Sequence, residues 1–210
     1  MKEAWNVVRA ALAGTWHDLI TTALVNLAWL VLWLPVVTGP PATLALFYTA
    51  NRIARGEPTD PVDFFRALPR YFWVAWRWGL LNLAVLGLLV GDIVLTGRLG
   101  GGSDGPRLVQ GLYLAGLAFW LLLQLYVLAF VFEQEEPSLR LALRNGALML
   151  GSNLAFSAAL LLLVLVALLL GSLLFFVSLA AGGVFVALVA NHAVLNRLEA
   201  HRVAEQGEGA

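Results

Sequence analysis

From Asn145 to Asn196 the chain runs for 52 residues without a lysine, arginine, aspartate or glutamate. One membrane-crossing helix needs about 20 apolar residues, so this run is too long for a single span and fits two joined by a tight turn. A soluble fold would have to bury all of it. That is a heavy demand on a chain that is 60% hydrophobic and only 12% charged, with further charge-poor stretches upstream. The class expected is an all-α polytopic membrane helical bundle forming a single domain over residues 1–210.

Thirteen basic and thirteen acidic residues cancel. Nothing resembles the basic stripe that nucleic-acid binding requires. The chain has no cysteine, which removes disulfides and cysteine-ligated metals. Its first long apolar run is followed by Pro-rich sequence without a convincing small-x-small cleavage signal, so an uncleaved first span is expected.

Five main passes are expected, together with an interfacial helix. Trp5, Val8, Leu12, Trp16 and Leu19 recur at spacings of three and four, the pattern of a helix lying in the membrane interface over residues 1–18 and leading into the first span. Residues 19–55 hold the first apolar run, broken at Thr38, Gly39, Pro40 and Pro41. Proline removes backbone donors, and Pro40 disfavours helical geometry at Gly39. The segment after the break is shorter than the membrane is thick. It is therefore either a half-helix returning from a sunken turn or the continuation of one kinked crossing.

Asp60, Pro61 and Asp63 read as the N-cap, first position and first turn of a helix over 60–77, placed along the cytoplasmic interface. Arg66, Arg70 and Arg77 give it charge for contact with lipid or a partner. Four further spans fill 78–196: about 78–96, 108–132, 147–169 and 177–195, the last two turning near Gly171 and Ser172. Residues 197–210 form a cytoplasmic tail. The glycine-rich stretch 97–105 lacks the lysine and strand–helix context of a phosphate cradle.

Basic residues indicate the orientation, because basic loops stay in the cytoplasm. Segments 50–77, 133–146 and 197–210 hold five, two and two arginines, all on one side of the expected topology, with Arg98 and Arg107 on the other. A returning half-helix adds Lys2 and Arg9 to the nine, which favours that arrangement and puts both termini in the cytoplasm.

Candidate chemistry is sparse. His17, His192 and His201 form no zinc motif, no nucleophilic triad can be assembled, and no catalytic, cofactor or metal site is expected. Polar residues recur within the spans: Asn26, Asn82, Asp92, Gln124, Asn153 and Asn191. They suit hydrogen bonds between helices, and the same residues could line a path for a small solute. Asp92 lies close enough to Thr96–Arg98 to reach the headgroup region.

One stretch resembles a known family. In order it reads Asn26-x-x-Trp29, Leu34-Pro35-x-x-Thr38, Gly39-Pro40, Ala45-Leu46-x-Tyr48, Arg55-Gly56-Glu57 and Phe64-Phe65-Arg66. This is similar to the YesL-like family of small bacterial membrane proteins of unknown function, over roughly residues 22–80. Here Thr38 abuts Gly39 and Pro41 is an extra proline. The resemblance implies a bacterial cytoplasmic membrane protein with an auxiliary or regulatory role in carbohydrate import. A membrane permease subunit or a second copy of the chain would be its partner; a self-contained small-solute carrier is the competing expectation.

Overall fold

The structure, a computed structural model, describes residues 2–17, 19–99, 104–173 and 175–208. Among these residues there are nine α-helices, one 3₁₀ turn at Val131–Glu133 and no strand. The helices are α1 (Lys2–His17), α2 (Leu19–Leu32), α3 (Gly39–Ala54), α4 (Pro61–Arg70), α5 (Phe72–Leu99), α6 (Asp104–Phe130), α7 (Leu139–Ser152), α8 (Leu154–Leu173) and α9 (Phe175–Glu208). Most of the glycine-rich stretch expected as a loop lies outside the described residues.

Among the described residues, three helical segments are long and apolar enough to cross a membrane: Phe72–Arg98, Gly105–Glu133 and Ala181–Ala204. The bent pair α7–α8 makes a fourth if it counts as one broken span, and Leu19–Leu32 is a shorter apolar helix. Only 6% of the apolar window in α5 is buried within the protein, so Leu80, Leu83, Leu88 and Leu95 face outward along it. Water would be a poor solvent for such a surface and hydrocarbon a good one. The chain is thus an all-helical protein of membrane type.

α3 and α9 form the centre. Buried positions of α3 include Gly39 through Phe47 and Thr49 through Asn51, so it is covered almost all round, as an interior helix should be. α9 packs against α1, α2, α3, α6 and α8. Ala187, Leu188, Ala190, Ala193 and Val194 make its buried surface. Small side chains let neighbouring backbones approach, which matters where lipid removes the usual hydrophobic drive between helices.

Several boundaries differ from the sequence pattern. The helix expected over 60–77 stops at Arg70. Pro69 lacks the N–H that a helix interior uses, Tyr71 leaves helical geometry (φ −104°, ψ 10°), and Trp73 to Arg77 already belong to α5. The apolar run expected as one span over 147–169 turns through 97° between α7 and α8. Ser152 Oγ donates to the Leu148 carbonyl (2.8 Å) and Asn153 Nδ2 to the Met149 carbonyl (3.2 Å), bonds that compete with helix continuation. Gly171 and Ser172, expected as a turn, lie inside α8, and residue 174 is outside the described residues. The tail expected from 197 continues α9 to Glu208.

α1 has two apolar faces. Ala4, Val7, Val8 and Ala11 are buried against the bundle, while Trp5, Leu12 and Trp16 are exposed. The exposed face suits an interface and the buried one fixes the helix to α9 and α8.

Candidate functional site

The turn between α2 and α3 occupies residues 33–38, one step before the prolines. Pro40 and Pro41 instead form the first turn of α3, where the missing N–H has no helical partner to lose. Thr38 is the N-cap residue, and its hydroxyl donates to the Leu32 carbonyl across the turn. Trp29 and Trp33 both donate their indole N–H to Thr43 Oγ1 at 3.2 Å, and the same hydroxyl donates to the Gly39 carbonyl at 3.0 Å. All the hydrogen-bonding capacity of that hydroxyl is therefore used.

Those bonds decide the direction of the chain. In a single continuous helix, Trp29 and Thr43 would stand about 21 Å apart. Their direct hydrogen bond requires a reversal. A Cβ at Gly39 would come within 3.0 Å of the Trp33 ring, so glycine is needed for that close approach. Val36 sits at φ 60°, a left-handed conformation that is strained for a β-branched residue.

The candidate polar residues form separate junctions rather than one network. Asn26 Oδ1 accepts from the backbone N–H groups of Gly183 (2.8 Å) and Val184 (3.1 Å), tying α2 to α9. A Cβ at Gly183 would lie 2.7 Å from that oxygen and 2.9 Å from the Trp29 ring. Between α5 and α6, Gln124 Oε1 accepts from Trp78 Nε1 (2.8 Å) and Asn82 Nδ2 (3.2 Å), while Asn82 Oδ1 accepts from Trp120 Nε1 (3.0 Å). Gln124 Nε2 is buried without a hydrogen-bond partner among the described residues.

Asn191 belongs to a third junction, which also uses residues the sequence pattern does not single out as a network. Asn51 Nδ2 donates to Asn191 Oδ1 at 2.9 Å and to Glu133 Oε1 at 2.8 Å. Arg55 donates to Asn51 Oδ1 through Nε at 3.2 Å and pairs with Glu133 Oε2 at 2.6 Å. Asn191 Nδ2 donates to the Ala187 carbonyl at 2.8 Å. Thus α3, the end of α6 and α9 are joined through one carboxylate, one guanidinium and two amides. The Glu133 side chain is only 8% exposed, so desolvation would be costly without these charge-assisted bonds.

Beside this junction, Tyr71 stacks against Phe132 and Tyr48 with ring centroids 5.2 and 5.6 Å apart. Burial pushes its phenol above the ordinary range and so keeps it protonated, against a smaller opposing effect of Arg70. The next turn is held by Arg52, which pairs with Glu57 and Asp63 at 3.3 Å each and donates to the Pro58 carbonyl at 2.7 Å. Gly56 adopts φ 71°, so the Arg55-Gly56-Glu57 turn needs glycine there. Asp60 and Asp63 complete a reciprocal capping box at the start of α4.

Asn153 and Asp92 lie apart from these junctions. Asn153 bonds locally to Met149 and Ser152. The Asp92 carboxylate is half-buried and has no hydrogen bond or ion pair among the described residues; the nearby Thr96 hydroxyl donates to the Asp92 backbone carbonyl instead. Arg66, Arg70 and Arg77 are all exposed. Arg66 has a 3.6 Å pairing with Asp63, and Arg70 lies over the Tyr71 ring at 5.4 Å. No group of three or more His, Cys, Asp or Glu residues that could hold a metal occurs among the described residues.

The class that fold and junctions define is a small polytopic helical membrane protein whose broken first hairpin forms part of its core. Residues 22–93, which are 72 of the 210, match the family described as Protein of unknown function, DUF624. In coarse terms this is the YesL-like family. The match runs from α2 into α5 and contains the Thr43 hairpin, the Arg55–Glu57 turn and the α4 cap. No curated protein and no solved structure matches the chain.

Proposed function

We propose that this chain is a non-catalytic accessory subunit of a membrane assembly serving carbohydrate uptake in a bacterial cytoplasmic membrane. The observation that carries the reading is the use of the bundle's amides. Asn26, Asn82, Gln124 and Asn191 bind neighbouring helices through groups that a carrier would need to offer to a solute. The carbohydrate association rests on the family resemblance. In this reading there are five passes: the α2–α3 hairpin at partial depth, then α5, α6, α8 and α9. The end bearing Arg52, Arg55, Arg66, Arg70, Arg140 and Arg197 faces the cytoplasm, as the positive-inside rule favours, and α4 presents Arg66 and Arg70 to a permease subunit or to a second copy.

Three measurements test this reading. Cysteine at position 203 should resist a membrane-impermeant thiol reagent in intact cells and cysteine at 98 should react; the reverse pattern would overturn the orientation. At equal membrane abundance, R66Q/R70Q should lose co-purification of the permease subunit that wild type retains in mild detergent. Purified wild type alone in vesicles should give no sugar uptake above empty vesicles. Substrate-specific uptake by the isolated chain would replace this reading with that of a self-contained carrier.

A further inference from the structure

A groove of about 480 Å³ lies between the start of α5 and the start of α7, lined by Val74, Arg77, Ser138, Leu139, Arg140 and Leu143. Its volume is within the range of small-ligand sites. The two guanidinium groups come from different helices. Neither makes an ion pair or hydrogen bond among the described residues. Glu135 and Glu136 are exposed in the preceding loop, and they neither line the groove nor pair with these arginines.

The start of α7 departs from the usual rules of helix initiation. Ser138 is the N-cap residue, yet its hydroxyl makes no capping bond and the first turn holds no acidic residue. Gln134 Oε1 takes the Ser138 N–H at 3.0 Å, and the first bond into the helix is Ala142 N–H to the Ser138 carbonyl. The earlier amides of the first turn are therefore left without helical acceptors. Arg140 adds positive charge where the helix dipole is already positive. Such a concentration of donors favours an anion.

We propose that this groove binds a phosphate ester, with Arg77 and Arg140 clamping the phosphate oxygens and the Ser138 hydroxyl and first-turn amides of α7 donating the remaining hydrogen bonds. Guanidinium forks match phosphate geometry. Val74, Leu139 and Leu143 supply an apolar floor for what is attached to the phosphate. The groove opens at the same end of the bundle as the Glu133 junction, at the foot of α5, so an anionic phospholipid headgroup meets both its chemistry and its level. Basic pockets between membrane helices take such headgroups. This site is independent of the accessory role.

The test is native mass spectrometry of the full, delipidated chain in mild detergent, titrated with phosphatidylglycerol, phosphatidylcholine or inorganic phosphate. Wild type should prefer phosphatidylglycerol. R77Q/R140Q should weaken that binding by about fivefold per arginine, or about thirtyfold for the pair, whereas R9Q/R202Q, two exposed arginines away from the groove, should leave it unchanged. S138D provides an internal carboxylate cap, so it should raise the midpoint of unfolding while lowering lipid affinity, a combination that a purely structural role does not produce. Displacement of the lipid by excess inorganic phosphate, with R77Q/R140Q insensitive, assigns the same site to soluble phosphate; no displacement assigns it to lipid. Equal phosphatidylglycerol binding by wild type and R77Q/R140Q, or equal loss in R9Q/R202Q, would overturn the proposal.

Discussion

Replacing Asn51 by leucine isolates the junction that joins α3, α6 and α9, because the two side chains are similar in size while every polar contact is lost. Asn51 is 6% exposed, so water cannot readily substitute. Its bond to the Glu133 carboxylate is charge-assisted, worth about 1.5–3 kcal/mol in soluble proteins. Asn191 Oδ1 would lose the Asn51 donor at 2.9 Å. Two considerations reduce the sum: Arg55 still neutralises Glu133 at 2.6 Å, and hydrogen bonds between membrane helices average only about 0.6 kcal/mol. We expect Asn51→Leu to cost about 2–3 kcal/mol, against less than about 1 kcal/mol for Asn153→Leu, whose bonds are local. Equilibrium unfolding in mixed micelles, followed by tryptophan fluorescence, measures both. A double-mutant cycle with Asn191→Leu should give coupling of about 0.5 kcal/mol or more. Equal stability of the Asn51 and Asn153 variants would refute the reasoning.

Gly183→Ala should lower stability by about 1–3 kcal/mol, because the new methyl would collide with Asn26 Oδ1 and the Trp29 ring and push α2 from α9; a wild-type unfolding midpoint would show that this contact is not tight. Val36→Gly should stabilise by up to about 1 kcal/mol, since glycine takes the left-handed backbone without strain and brings no polar group to a turn set at partial membrane depth. An unchanged or lowered midpoint in the same assay would count against strain at this turn.

The membrane class was legible because it depends on composition over long windows, which no local packing can reverse. The break near residue 38 was also visible, with a return favoured over a kinked crossing, but its position was not. A proline pair reads as a break, while the same pair is well placed in the first turn of a new helix, so the disruption falls on residues 33–38 and Pro40 and Pro41 begin α3. The bend at Asn153 was hidden for a different reason. Hydropathy sees an apolar run on both sides, whereas the helix is interrupted by side-chain bonds to carbonyls three and four residues back.

The polar residues show where single-sequence reasoning stops. A lone amide in an apolar span implies a partner but carries no information on which helix supplies it. Asn82 and Gln124 meet across 42 positions, Asn51 and Asn191 across 140. Asn51 and Arg55 resemble a polar helix end, and Glu133 a loop acid, until folding places all three at one level beneath Asn191. A pattern that could have suggested the junction is the four-residue spacing of Asn51 and Arg55, which sets an amide and a cation on one helix face. Completing it required a buried acid, and sequence gave Glu133 no mark that separates it from Glu135 and Glu136, both exposed two and three residues further on. What distinguishes Glu133 is where α6 ends. The 3₁₀ turn at Val131–Glu133 brings that carboxylate back against α3, while Glu135 and Glu136 beyond it are exposed. Tertiary geometry thus selects one acid of three as structural and leaves the others to the solvent.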